Sequence, residues 1–208
     1  MKKITKIEHQ KRNKDRFNIY VNDVYSFAVS IDILYSESLK EGIEIDEEKI
    51  KSISDKEMLN KCKNTALNII ERNLKTKKQL ENKLREKEFD DSIIFETMKF
   101  LEHYGYINDS EYIKLFIKEK IKKYGKRKII YELIRKGIKK EDVELEFENS
   151  SYIEDIEIES AKKIAKKKLD SILKKEDDKY KIRGKLYNYL LSKGYQTNII
   201  KQIIEELT

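Results

Sequence analysis

Three stretches of this chain repeat one pattern: a helix end, a turn residue, a large apolar residue, then a newly capped helix. They are "KLREKEFDDSII" from Lys83, "ELIRKGIKKEDV" from Glu132 and "YLLSKGYQTNII" from Tyr189. Placing Phe89, Ile138 and Tyr195 in register aligns Leu84 with Leu133 and Leu190. It also aligns Lys87 with Lys136 and Lys193, and Ile94 with Val143 and Ile200. The spacings are 49 and 57 residues. Repeats of that length are supersecondary units that bury an apolar face only against their neighbours. The pattern therefore predicts a mainly α chain: three tandem three-helix repeats in an elongated, curved body.

Composition agrees. Charged residues make up 41% and hydrophobic residues 38%, against roughly 25% charged in an ordinary globular domain. A thick central core is excluded. Proline is absent among the 208 residues, so turns rest on glycine and capping side chains.

The first 53 residues differ. "RFNIYVNDVYSFAVS" alternates on either side of Asn22-Asp23, two residues that tolerate left-handed backbone. Phe17, Ile19 and Val21 are expected on one strand face, and Tyr25, Phe27 and Val29 on the next. "KITKIEHQ" is a candidate third strand, residues 31–40 a short helix, and "GIEID" a closing strand. The expected division is 1–53 as a β-hairpin extension, 54–107 and 108–149 as the first two repeats, and 150–208 as an acidic linker with the third.

Helix starts are marked by cap spacing. Ser54 with Glu57, and Thr76 with Gln79, stand at capping-box distance. Asp90 or Asp91 opens the next helix, and helices follow at 109–123, 126–136, 139–148, 158–174, 178–193 and 197–207. Glu88 replaces glycine in the first repeat, so that joint is expected to be less left-handed. In "EHYGYINDSEY", Gly105 suits the left-handed position after a helix end and Tyr106 folds back on that helix. Asn108 or Asp109 then caps the helix carrying Tyr112.

No catalytic, cofactor or metal constellation emerges. Cys62 is a lone core residue, His9 and His103 lack ligand spacing, and no phosphate-cradling glycine loop or Ser/His/Asp set is present. No apolar run approaches the roughly 20 residues of a membrane span, and the N-terminus lacks a signal-peptide core; a cytoplasmic protein is expected. Charge points to an anionic partner instead. The formal net charge is +7. Tyr112–Lys140 holds twelve Lys or Arg against two Glu, Glu141–Ser160 nine acids and no base, and Ala161–Lys185 eleven bases against four acids. Within "KEKIKKYGKRK", Lys118, Lys122, Lys123, Lys126, Arg127 and Lys128 are candidates to meet phosphates or an acidic protein surface, with Arg135 and Lys136 further along. The acidic stretch reads either as a linker or as a segment paired to the basic helices. Tyr106, Tyr112, Tyr124 and Tyr131 read as packing between helices more readily than as base-stacking platforms.

These residues resemble the RecX family, regulators of the RecA recombinase. The first repeat carries the family's pattern in Ala66, Leu74, Thr76, Leu80, Leu84 and Phe89, with Thr76 where serine is usual. The most distinctive match is "YGYINDSEY", through Gly105, Tyr106, Ile107, Asp109 and Tyr112. In the second repeat Gly125, Ile129, Leu133, Lys136, Gly137 and Ile138 fall in place. The resemblance is weaker after residue 150, and the N-terminal hairpin is similar to the extension of members from Gram-positive bacteria. It implies a non-enzymatic protein that binds the RecA–single-stranded DNA filament in its groove and suppresses ATPase, strand exchange and co-protease activity. From the residues alone two other readings stay open: an independent single- or double-stranded DNA-binding module, and a helical scaffold for another acidic partner. A monomer is expected for a helical repeat with a polar surface.

Overall fold

The computed structural model describes residues 2–11, 13–150 and 152–208. Three long strands, β1 (Lys2–Gln10), β2 (Asn13–Val21) and β3 (Val24–Ser30), lead into helix α1 (Ile31–Ser36) and a short strand β4 (Glu44–Ile45). The sheet order is β3-β2-β1-β4, antiparallel throughout. Asn22 and Asp23 turn the β2–β3 hairpin with φ of 50° and 65°, the left-handed pair that a two-residue loop needs. One face of the sheet buries Ile4, Phe17, Ile19, Val21, Phe27 and Val29 against Ile33, Leu39, Ile45 and Ile53. Tyr25 departs from the expected alternation. The register shifts between Ile19 and Tyr20, so Tyr25 pairs with Tyr20 and their rings meet edge-on at 6.0 Å. A bulge of this kind moves a side chain to the opposite face.

Nine helices follow among the described residues. They are α2 (Glu47–Arg72), α3 (Lys77–Arg85), α4 (Asp91–His103), α5 (Asp109–Lys120), α6 (Lys126–Arg135), α7 (Lys140–Asn149), α8 (Tyr152–Leu173), α9 (Lys179–Ser192) and α10 (Thr197–Leu207). Two compact units result, one from residues 1–72 with 81–106 and one from 73–80 with 107–208. In the second unit, α5–α7 close over Ile113, Ile117, Ile129, Leu133 and Val143, while α8–α10 close over Ala161, Ala165, Leu186, Leu190 and Ile200.

Several expectations need correction. The helix predicted to start at Ser54 starts at Glu47, so Ser54 and Glu57 form no cap. Glu57 instead faces inward and takes up Arg16 and Ser30. The acidic stretch 141–160 is helical in α7 (to Asn149) and in the first turns of α8 (from Tyr152). Its one ion pair among the described residues is the local Lys140–Glu144 contact at 3.3 Å, and its contact with a basic helix is the Glu157 carboxylate on the Lys126 backbone N–H. Glu88 adopts φ of 62°. Its joint is as left-handed as the glycine joints, because the apolar residue that follows must be turned back into the core.

All four helix ends of this type share one hydrogen-bond pattern. The backbone N–H of Phe89, Tyr106, Ile138 and Tyr195 donates to the carbonyl of Leu84, Leu101, Leu133 and Leu190, at 3.3, 2.8, 3.2 and 3.3 Å. This is the Schellman closure, with the left-handed residue at Glu88, Gly105, Gly137 and Gly194. Phe89, Ile138 and Tyr195 are all buried.

Candidate functional site

The sequence-predicted basic residues lie around α6. Lys118 ends an exposed turn of α5, and Lys122 and Lys123 stand in the exposed turn that follows it. Arg127 is exposed in the first turn of α6. The chain thus places Lys122, Lys123 and Arg127 on either side of the start of α6, and Lys118 a turn earlier on α5. Arg135 and Lys136 do not join them. Ten helical residues at roughly 1.5 Å each put them about 15 Å away at the other end.

Many of these cations rest on aromatic rings rather than on acids. Lys126 Nζ lies 5.0 Å from the Phe147 ring centroid, Lys128 4.2 Å from Tyr124 and Lys136 5.5 Å from Phe116. The Arg135 guanidinium lies 5.8 Å from Tyr131. The third repeat extends the set, since Lys193 is 5.5 Å from both Tyr124 and Tyr189 and Lys168 is 5.1 Å from Tyr189. A ring quadrupole holds an ammonium without neutralising it. The result is a row of positioned positive charge from α6 to α8 and the residue after α9, whose lysines form no ion pair among the described residues, with the Glu157 carboxylate near Lys126. Lys168 and Lys193 were not found from sequence. The signal available was the recurrence of Lys136 at the aligned position Lys193.

Tyr124 and Tyr112 are half-buried and pack as expected, Tyr112 stacking on Phe116 at 6.0 Å. Tyr106 and Tyr131 are more exposed than interhelical packing allows, at 53% and 60%. Tyr106 does fold back on its helix, 6.2 Å from Phe100.

The remaining predicted residues build the frame beneath this surface. Asn108 Oδ1 accepts from the N–H groups of Ser110 and Glu111 and caps α5. Asp109 reaches elsewhere, and its carboxylate accepts the backbone N–H of Lys77, at the start of α3, at 2.9 Å. The next repeat does the same. Glu157 on α8 accepts the backbone N–H of Lys126, at the start of α6, at 2.7 Å. In the other unit Glu57 on α2 accepts from the N–H and hydroxyl of Ser30, just before α1, both at 2.9 Å, and from Arg16 at 2.7 Å. Each repeat's first helix thus supplies an acid that caps a helix start in the segment before it. Glu57 and Glu157 were missed in sequence. Each occupies a core-facing position, in the series Ile53-Glu57 and Ile153-Glu157-Ala161-Ala165, and an acid on an apolar stripe was the available signal.

The glycine joints dock on the same helix starts. Thr76 Oγ1 donates to the Lys136 carbonyl at 2.6 Å, while Thr76 and Gln79 close the predicted capping box. One repeat later, Gly125 N–H donates to the Lys193 carbonyl at 3.0 Å and Arg127 N–H to the Gly194 carbonyl at 3.1 Å. A Cβ on Gly125 would overlap the Gly194 backbone, and one on Gly137 would overlap the Lys78 side chain. Burial raises the Glu157 carboxyl above its usual range, and the Lys126 N–H opposes this. Burial also raises the Tyr195 phenol, with the Glu157 carboxylate adding to it. The Tyr195 hydroxyl has no hydrogen-bond partner among the described residues.

Among the described residues no group of His, Cys, Asp and Glu is arranged to hold a metal ion, and no helix is long and apolar enough to cross a membrane.

Comparison with known proteins covers almost the whole chain. The profile of the regulatory protein RecX N-terminal domain matches residues 2–46. Those of the RecX first, second and third three-helix domains match 62–101, 108–145 and 155–204. A regulatory protein RecX of Clostridium beijerinckii is 45% identical over 207 residues, covering 100% of this chain and 96% of its own. One from Clostridium perfringens is 41% identical over 208 residues, with 100% and 97% coverage. A crystal structure of regulatory protein RecX matches with a TM-score of 0.79 at 26% identity, covering 99% of this chain and 100% of its own. The RecX structure from Lactobacillus salivarius matches with 0.66 at 27%, covering 72% and 96%.

Proposed function

Because the chain belongs to the RecX family of regulatory proteins, we propose that it is a non-enzymatic cytoplasmic modulator of RecA. It binds the RecA–single-stranded DNA filament in its groove and lowers ATPase, strand exchange and co-protease activity. The observation that carries this reading is the row of cations around α6, held on aromatic rings and without ion pairs among the described residues. A filament of protein and DNA offers such a row both phosphates and acidic side chains. Lys118, Lys122, Lys123 and Arg127 meet the partner directly. Lys126, Lys128 and Lys136, half-buried on their rings, add field more than contact. To inhibit, the protein must bind an inactive filament arrangement more tightly than the active one, since a ligand shifts an equilibrium only by its differential affinity.

The deciding experiment is the single-strand-dependent ATPase of RecA from the same source. Inhibition at less than one molecule per RecA, weakened at least tenfold by Lys122→Glu with Arg127→Glu, supports the reading. No inhibition at excess sinks it. The same basic row also favours a second reading, an independent DNA-binding module. That reading requires salt-dependent binding to bare oligonucleotides without RecA.

A further inference from the structure

Beside the basic row, the second unit carries a cleft of about 520 Å³ between α5, α7 and the start of α8. Its floor is aliphatic, from Leu115, Ile117, Ile121, Ile153 and Ile156, and Tyr152 stands at its edge. Leu115 and Tyr152 are 44% and 64% exposed, so water reaches an apolar surface that the fold does not cover. Lys114 and Lys118 of α5, with Lys122 of the turn after it, line one wall. None is ion-paired among the described residues. Glu111, one turn before Lys114 on α5, stands at the end of that wall, and Glu146 of α7 stands on another side.

From this arrangement we propose that the cleft docks a short peptide segment of a partner protein, acidic along one edge and anchored by one bulky apolar side chain. Lys114 and Lys118 stand four residues apart, roughly 6 Å along α5, and Lys122 follows in the turn after it. Alternate residues of an extended peptide repeat at roughly 6.6 Å. Acids at alternate positions therefore meet one lysine each, and an apolar residue between them points into the aliphatic floor. The two glutamates discriminate against nucleic acid. A phosphodiester chain is charged along its length and would meet them, whereas a peptide can confine its charge to the short stretch that faces the lysines. The floor also lacks the stacked aromatic faces that unpaired bases use. This inference does not depend on RecA, and its test contains none.

The test uses the full chain and a fluorescein-labelled nine-residue peptide with Glu at alternate positions and Leu at the centre, read by fluorescence anisotropy. The expected result is saturable binding. Leu115→Asp, an exposed position checked by far-ultraviolet circular dichroism, weakens it at least tenfold, and Lys118→Glu at least threefold. Lys163→Glu, on α8 and not among the residues that line the cleft, leaves it unchanged. A peptide with Gln for Glu, or Ala for the central Leu, binds at least fivefold more weakly. Three results would overturn the proposal. The peptide shows no saturable binding. Leu115→Asp binds it as well as the parent, with a 20-nucleotide single strand displacing it from both, which marks a plain anion surface. Sedimentation finds a dimer that Leu115→Asp dissociates, which makes a second copy the occupant.

Discussion

At the scale of single residues, glycines of one sequence class do unequal work. Gly105 has a left-handed φ of 69° and open space where a side chain would go. Gly105→Ala is expected to cost about 1 kcal/mol, the left-handed penalty alone. Gly125 has an ordinary φ of −79°, yet its Cβ would meet backbone of the neighbouring repeat. Gly125→Ala is expected to cost about 3 kcal/mol, the upper end for overpacking; urea denaturation of both variants ranks them. Glu157 is the second case. Its carboxyl is raised by burial, so between the ordinary Glu value and the raised one the folded state binds more protons than the unfolded. This residue's contribution to stability therefore falls as pH rises through that window. Glu157→Gln keeps an acceptor for Lys126 N–H and removes the charge. The variant is expected to gain stability over the parent at pH 7 and to lose that advantage at pH 4, by urea denaturation at both values.

At the scale of elements, the joints were legible and their partners were not. Leu-x-x-x-Gly-apolar predicts a helix end from local chemistry, and the same bond closes all four observed copies. Glu88 shows the limit of that logic. Glycine is favoured there by local backbone freedom, but burial of Phe89 decides the conformation. Glu88→Gly is expected to stabilise the chain by about 1 kcal/mol by relieving a left-handed non-glycine residue, seen as a raised urea midpoint with unchanged slope. The cap at Ser54 failed for the opposite reason. Ser and Glu at that spacing satisfy a helix start only where the helix has not already begun, and α2 begins at Glu47. Asn108 and Asp109 were equivalent candidates in sequence because both are cap residues. They separate in the structure because only Asp109 faces the start of α3.

At the scale of the whole molecule, the sequence carried the repeat count, the N-terminal sheet and the region of positive charge. Those depend on periodicity and composition, which are read along one chain. The aromatic seats of the cations were hidden. Lys193 meets Tyr124 only after two repeats have packed, and Lys168 meets Tyr189 only after α8 and α9 have. The charge row bears on the proposed function through salt. Each cation that neutralises a phosphate should add about one unit to the slope of log affinity against log salt. Lys122→Glu and Arg127→Glu are each expected to lower that slope by about one unit in filament binding, measured between 50 and 200 mM salt. Lys163→Glu, on α8, is the control.

The carboxylates Glu57, Asp109 and Glu157 also set a direction in time. Each closes a helix start that lies earlier in the chain than itself. A ribosome delivers the segment needing the cap before the residue that provides it. The start of α6 leaves the exit tunnel with its amide groups open to water and is finished only when α8 emerges some thirty residues later. Synthesis of this protein is thus a sequence of provisional modules, each completed by its successor. A nascent chain halted after α7 holds its second three-helix unit unfinished.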